Sequence, residues 1–346
     1  MANISFFYPE KEKGFALGLN AAGGNMGVAV TQLFVPLVII IGITDAQVRL
    51  PKHPVHLAYA GMMWLPLIAI AAVGAWLFMD SITSAKADTR SYVESLSNRH
   101  TWIMSALYVG TFGSFVGFSF ALPLVIKSTF PEFLVGHPFI ANYLAGLGFL
   151  GALLGSLARP IGGMLSDRIG GAKVTLFAFI AMALFTVAAI LGVQNRSFAL
   201  FFSSFMVIFV LSGLANGSTY KMIPSIFGAL GNAHAAETGA APAVVAAEFR
   251  RRAAAVIGIA GAVGALGGAL VQVTFRQASL NVSALVKAAE TPAAKVAVAA
   301  SHAKWAVPAL WLFIGCYVVC AVITYFVYAR KGLSAGKGDA SIRVPV

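Results

Sequence analysis

Acidic residues are scarce in this chain. Twelve Asp and Glu stand against 24 Lys and Arg in 346 residues, and charged residues of both signs make up only 10%. A soluble domain carries roughly 25% charged residues, so a water-facing globule is excluded. With 59% hydrophobic residues and a mean hydropathy of +0.84, the composition is that of an all-α integral membrane protein. Cysteine is nearly absent. Cys316 and Cys320 stand four apart on one apolar segment, which reads as two small apolar residues on one helix face and lacks metal-site spacing. The six histidines, His53, His56, His100, His137, His234 and His302, all fall in expected loops. No imidazole is therefore placed at membrane depth for haem or metal, and no cofactor is implied. Residues 1–13 are polar and mixed in charge, without the basic start and short apolar core of a signal peptide.

Long apolar runs are what the chain does have. A helix needs ~20 apolar residues to cross a bilayer. Hydropathy and turn signals place eight such spans near 14–42, 57–80, 101–127, 139–164, 172–194, 198–228, 253–275 and 305–329. The breaks carry Pro51-Lys52-His53-Pro54, Ser95 to Arg99, Phe130-Pro131-Glu132 and Asp167 to Gly171. Two Ala-rich stretches, 230–252 and 276–304, are expected as loops that either contain a short amphipathic helix or do not.

The net charge of +12 is spread over loops and does not point to nucleic acid. It reports topology, because cytoplasmic loops are enriched in Lys and Arg. With the N-terminus inside, the inner segments hold Lys11, Lys13, Lys86, Arg90, Arg99, Arg168, Lys173, Arg250, Arg251, Arg252, Arg330, Lys331, Lys337 and Arg343. The outer ones hold Arg49, Lys52, Lys127, Arg196, Arg276, Lys287, Lys295 and Lys304. Fourteen against eight places both termini in the cytoplasm.

Two cations, Arg159 and Lys221, fall inside spans, and no Asp or Glu lies well inside one; Asp80 and Asp167 fall at ends. Intramembrane charges pair or line a pathway, and these two are expected to lack an acidic partner. Either both snorkel to the interface, or the partner is an anionic substrate, for which the rigid fork of an arginine is suited. Arg159 sits among Gly155, Ser156, Ala158, Pro160, Gly162 and Gly163, small residues that bring helices close around a proline that frees backbone groups. Without an intramembrane carboxylate, counter-anion exchange is easier to build than a proton relay. No Ser/His/Asp, Cys/His or phosphate-cradling pattern supports an enzyme.

Two glycine runs complete the pattern. Gly18-Leu19-Asn20-Ala21-Ala22-Gly23-Gly24-Asn25-Met26-Gly27 opens the first span, and Gly258 to Gly268 fills the seventh. Glycine admits a neighbouring backbone or a ligand, and an asparagine amide in hydrocarbon needs a partner. Paired glycine helices suggest two matching halves of a transporter.

The segments Ala16–Gly27 and Gly258–Gly268 resemble the two nitrate signatures of the nitrate/nitrite porter family within the major facilitator superfamily. Tyr108–Phe118, Ala158–Gly163 and Asn216–Pro224 are similar to that family as well, and Gly163–Gly171 resembles the superfamily's Gly/Asp-Arg loop. The resemblance implies a twelve-helix bundle of two halves, of which this chain would lack the first four helices. Residues 1–80 would be the last two helices of the first half, 81–100 a cytoplasmic linker, 101–330 the second half and 331–346 a cytoplasmic tail. It implies nitrate or nitrite transport in a bacterial inner membrane by alternating access. The anion would be gripped by one arginine from each half between aromatic walls. Arg159 matches the second-half arginine, Tyr108 and Phe112 the aromatic walls, and Asn25 a polar signature position. The glycine helices, here Gly23, Gly261 and Gly264, lie close by. The first-half arginine would stand on a helix this chain does not contain. The expectations that follow are a misplaced start, a truncated non-transporting fragment, a dimer that rebuilds the missing wall, or half of a split transporter whose partner chain supplies the missing helices.

Overall fold

The computed structural model describes residues 8–9, 12–48, 54–79, 89–144, 147–288 and 304–330. Among them, eight helices are long and apolar enough to cross a membrane. They are α1 (Lys13–Val38), α2 (Leu57–Phe78), α3 (Arg99–Thr129), α4 (Gly148–Ile169), α5 (Gly171–Gln194), α6 (Phe198–Thr238), α7 (Pro242–Ala288) and α8 (Val307–Ala329). The number agrees with the expectation; several boundaries do not. The fourth span begins at Gly148 rather than near 139, because Pro138–Tyr143 forms a separate short helix that ends before it.

The larger correction concerns the Ala-rich stretches. Residues 230–252 are mostly helix: α6 runs on to Thr238, turns at Gly239 (φ 68°), and α7 starts at Pro242. Glycine takes the left-handed conformation that stops a helix, and proline suits the first turn of the next. The 41 residues of α6 span about 60 Å at 1.5 Å per residue, twice the ~30 Å hydrocarbon core, so α6 and α7 project beyond it together. Alanine is the best helix former, but it adds little to a hydropathy window, which is why these turns read as loop. His234 accordingly lies on α6, and His100 lies in the first turn of α3, where it is buried and its Nδ1 is 2.9 Å from Tyr328 Oη. His53, His302, the linker residues 81–88 and the tail 331–346 lie outside the described residues.

The core is formed by α3 to α8, with α6 at its centre packed on α4, α5 and α7, α3 packed on α7, and α5 on α8. Small residues let the backbones meet. A Cβ on Gly162 would strike Leu214, one on Gly213 would strike the Gly155 carbonyl, and one on Gly217 would strike the Arg159 carbonyl. Helix α1 lies antiparallel on α4, with Gly14 against Gly163 and Gly18 against Arg159 and Pro160. It also repairs a defect in α3. Pro123 cannot donate to the Ser119 carbonyl four residues back, and the Gln32 amide of α1 donates there instead. No residue of α2 is buried.

A short helix, Thr89–Leu96, leads into α3 and carries Glu94 between Arg90 (2.7 Å) and Arg252 (2.8 Å). The Arg90 hydrogen bond, with the charge of Arg252, holds the Glu94 carboxyl below the usual carboxylate range.

Candidate functional site

Arg159, in the middle of α4, is 1% exposed. Its Nη2 donates to Tyr108 Oη at 2.6 Å. Three rings surround the guanidinium: its central carbon lies 4.9 Å from the centre of Tyr220, 5.7 Å from Phe112 and 5.9 Å from Tyr108. The rings stack on one another, with Tyr108 4.6 Å from Tyr220 and 5.0 Å from Phe112. Tyr108 ends the regular first part of α3, and Phe112 lies in the π-helical turn Val109–Gly113 that follows. Such single-turn bulges recur at functional sites. This one sits where Gly113 meets Gly267 of α7, 2.9 Å from the position of a Cβ.

Electrostatics make the site unusual. Arginine stays protonated in proteins, Nε of Arg159 is buried without a hydrogen-bond partner, and among the described residues no carboxylate pairs with it. Cation–π contacts return roughly 0.5–2 kcal/mol each, while burying an ion costs several kcal/mol even after relaxation. The rings offset part of that cost. An anion would supply the remainder, and the flat fork of guanidinium donors suits a planar oxyanion.

The other expected site residues divide. Gly264 and Gly261 of α7 lie against the aromatic wall, where a Cβ would strike the Tyr108 ring and come within 3.1 Å of Tyr220 Oη. Both therefore make room for rings rather than touch the guanidinium. Among the described residues, nothing lies within 4 Å of a Cβ at Gly23, Gly24 or Gly27. Asn25 lies seven residues beyond Gly18 and so on the same face of α1; its Nδ2 is buried without a partner. The structure does not bring Gly23 to the Arg159 cluster. Tyr220 is a ring of the site that sequence reasoning did not single out, although it lies inside the Asn216–Pro224 stretch; a tyrosine on an apolar helix carries no mark of which way it points.

Lys221 corrects the expectation of an unpartnered cation. Its Nζ lies 3.1 Å from Asp167 Oδ1, and the two side chains are only 10% and 6% exposed. Asp167 also accepts from the backbone N–H of Gly14 (3.1 Å) and Phe15 (3.0 Å). Its carboxylate thus caps the first turn of α1, where unpaired N–H groups and the helix dipole favour an anion, and ties α1, α4 and α6 together. Asp167 was expected at a span's end; it is in the last turn of α4, turned inward. Removing one member of a buried pair costs about 3–5 kcal/mol. D167N should therefore lower the thermal midpoint in detergent more than K221M, since the lysine variant leaves the carboxylate bound to two N–H groups. The double variant should lose less than the sum of the two, and additive losses would show that the pair is not coupled.

The family model described as Major Facilitator Superfamily matches residues 1–272. The chain belongs to the Major Facilitator Superfamily. It is a multi-pass membrane protein of that superfamily, and its relatives there are transporters by name. It is 35% identical over 342 residues to the nitrate/nitrite transporter NarU of Escherichia coli (strain K12), covering 96% of this chain and 68% of that one. It is 36% identical over 339 residues to the NarU of Salmonella typhimurium, covering 96% of this chain and 67% of the relative. A probable nitrate/nitrite antiporter, NarK2 of Thermus thermophilus, is 37% identical over 239 residues, 66% of this chain and 53% of that protein. The chain spans about two thirds of the length of the two NarU proteins.

Proposed function

We propose that this protein carries nitrate and nitrite across a bacterial inner membrane by alternating access, with Arg159 as the cation that meets the anion. One observation carries the reading: a fully buried arginine caged by Tyr108, Phe112 and Tyr220 with no carboxylate paired to it among the described residues. The relatives, a nitrate/nitrite transporter and a probable nitrate/nitrite antiporter, suggest the ions. In this reading residues 1–80 belong to one half and 101–330 to the other, joined through 81–100, and both termini face the cytoplasm. Lipid covers outward side chains such as Leu65, Ile70 and Trp76. The open glycine face of α1 at Gly23, Gly24 and Gly27 is where a chain supplying further helices would pack, since small residues allow close helix contact.

The same charge argues for exchange. A carrier that returns empty must reorient with a bare buried guanidinium, whereas one loaded on both journeys keeps it compensated. Nitrate and nitrite carry the same charge, so their exchange moves no net charge. The test is uptake of isotopically labelled nitrate into liposomes containing the 346-residue chain. Uptake should be stimulated by nitrite or nitrate inside and not by chloride. Uptake no faster than in protein-free liposomes, together with no nitrate binding, would overturn the reading.

A further inference from the structure

Asn216 is the least explained side chain in the bundle. It is 0% exposed, and among the described residues neither its Oδ1 nor its Nδ2 has a hydrogen-bond partner. A side-chain amide carries two donors and an acceptor, and native structures seldom leave all of them unmet. Its position is specific. Asn216 precedes Gly217, whose backbone meets the Arg159 carbonyl, so it stands at the level of Arg159 where α6 crosses α4. It also lies one turn before Tyr220, and residues four apart share a helix face; the Tyr220 ring is 4.9 Å from the guanidinium carbon. The Arg159 Nε–H is the second unmet donor at that level, and Thr111 Oγ1, in the π-helical turn beside Phe112, is a third buried polar atom without a partner. An acceptor ligand beside Arg159 is the kind of partner that both donors lack.

We propose that Asn216 is the selectivity residue of this site: its Nδ2–H donates to an oxygen of the bound oxyanion that Arg159 does not reach. The inference rests on the reading that an oxyanion sits at Arg159. Nitrate presents an oxygen at each of three corners in one plane. Nitrite presents two, with a nitrogen lone pair at the third. When the guanidinium engages two oxygens, the third corner is an oxygen only in nitrate; the nitrite lone pair also accepts but lies one N–O bond length farther from the amide, so the contact favours nitrate.

The experiment measures equilibrium binding of sodium nitrate and sodium nitrite to the purified chain in detergent, for wild type, N216L and N216A. Leucine keeps the branching and heavy-atom count of asparagine, with bulkier methyl groups, and removes the unmet polar atoms, so it tests the contact without leaving a cavity; alanine is the second variant should leucine not pack. Loss of one hydrogen bond to a charged ligand predicts nitrate affinity lower by roughly tenfold to a hundredfold, with nitrite affinity changed by less than about threefold. A merely structural asparagine would move both anions together, so an unchanged nitrate-to-nitrite ratio overturns the inference, whether both affinities fall or neither does. If wild type binds both anions and R159A abolishes both while the N216 variants keep the wild-type ratio, only this inference fails. If wild type binds neither anion, the anion reading of Arg159 fails as well.

Discussion

R159A is expected to weaken nitrate binding at least about thirtyfold and to stop transport, while leaving the unliganded protein about as stable. The two effects have one cause. Without an anion, the guanidinium is a buried charge held by one tyrosine hydroxyl and three ring faces, and its removal relieves a desolvation cost of several kcal/mol that offsets the contacts and volume lost. With an anion, the same charge is half of a desolvated pair, and truncating one member of such a pair costs about 2–5 kcal/mol, roughly thirtyfold to several thousandfold in affinity. Thermal unfolding in detergent reads both. Wild type at a hundred times its dissociation constant for nitrate should gain about 2.7 kcal/mol, and R159A at the same concentration less than about 1 kcal/mol. R159K keeps the charge but loses the fork of donors and the flat face that stacks on rings, so it should bind more weakly than wild type and more tightly than R159A. An R159A protein that nitrate stabilises as much as wild type would show that the anion binds elsewhere.

G217V is expected to have the largest effect on stability. A Cβ at Gly217 would strike the Arg159 carbonyl and lie 2.7 Å from Gly163 N and 3.2 Å from the Gly162 carbonyl carbon. All three neighbours are backbone, so no side chain can swing aside and α4 must move away from α6. Overpacking by one or two methyl groups costs about 1–3 kcal/mol, and a β-branched residue at a backbone crossing should reach or exceed the top of that range. Separating the helices also withdraws Arg159 from the Tyr220 ring. G217V should therefore lower the thermal midpoint by several degrees or fail to give folded protein, and G217A should show the smaller loss with weakened nitrate binding. G23V is the matched control, because a Cβ at Gly23 meets nothing within 4 Å. Equal stability of G217A, G23V and wild type would contradict the packing.

The amino-acid sequence by itself determined that the chain crosses a membrane and how many times, because an apolar run long enough to span hydrocarbon is a local property that a window of residues contains in full. Arg159 was legible for the same reason: one cation amid Gly155, Ser156, Pro160 and Gly162 is conspicuous wherever the helix points. The length of α6 was not legible, since alanine turns beyond the membrane add helix without adding hydropathy. Nor was the pairing of Lys221 with Asp167, which stand 54 residues apart and meet only because α4 and α6 cross at glycines. Equivalent glycines were separated by the fold as well: Gly264 seats a tyrosine ring, while Gly23 faces open space. The positions of Tyr220 and Asn216 beside Arg159 depend on the rotation of α6 about its own axis. That rotation is set by which small residues let two backbones touch, and only the packed bundle decides it.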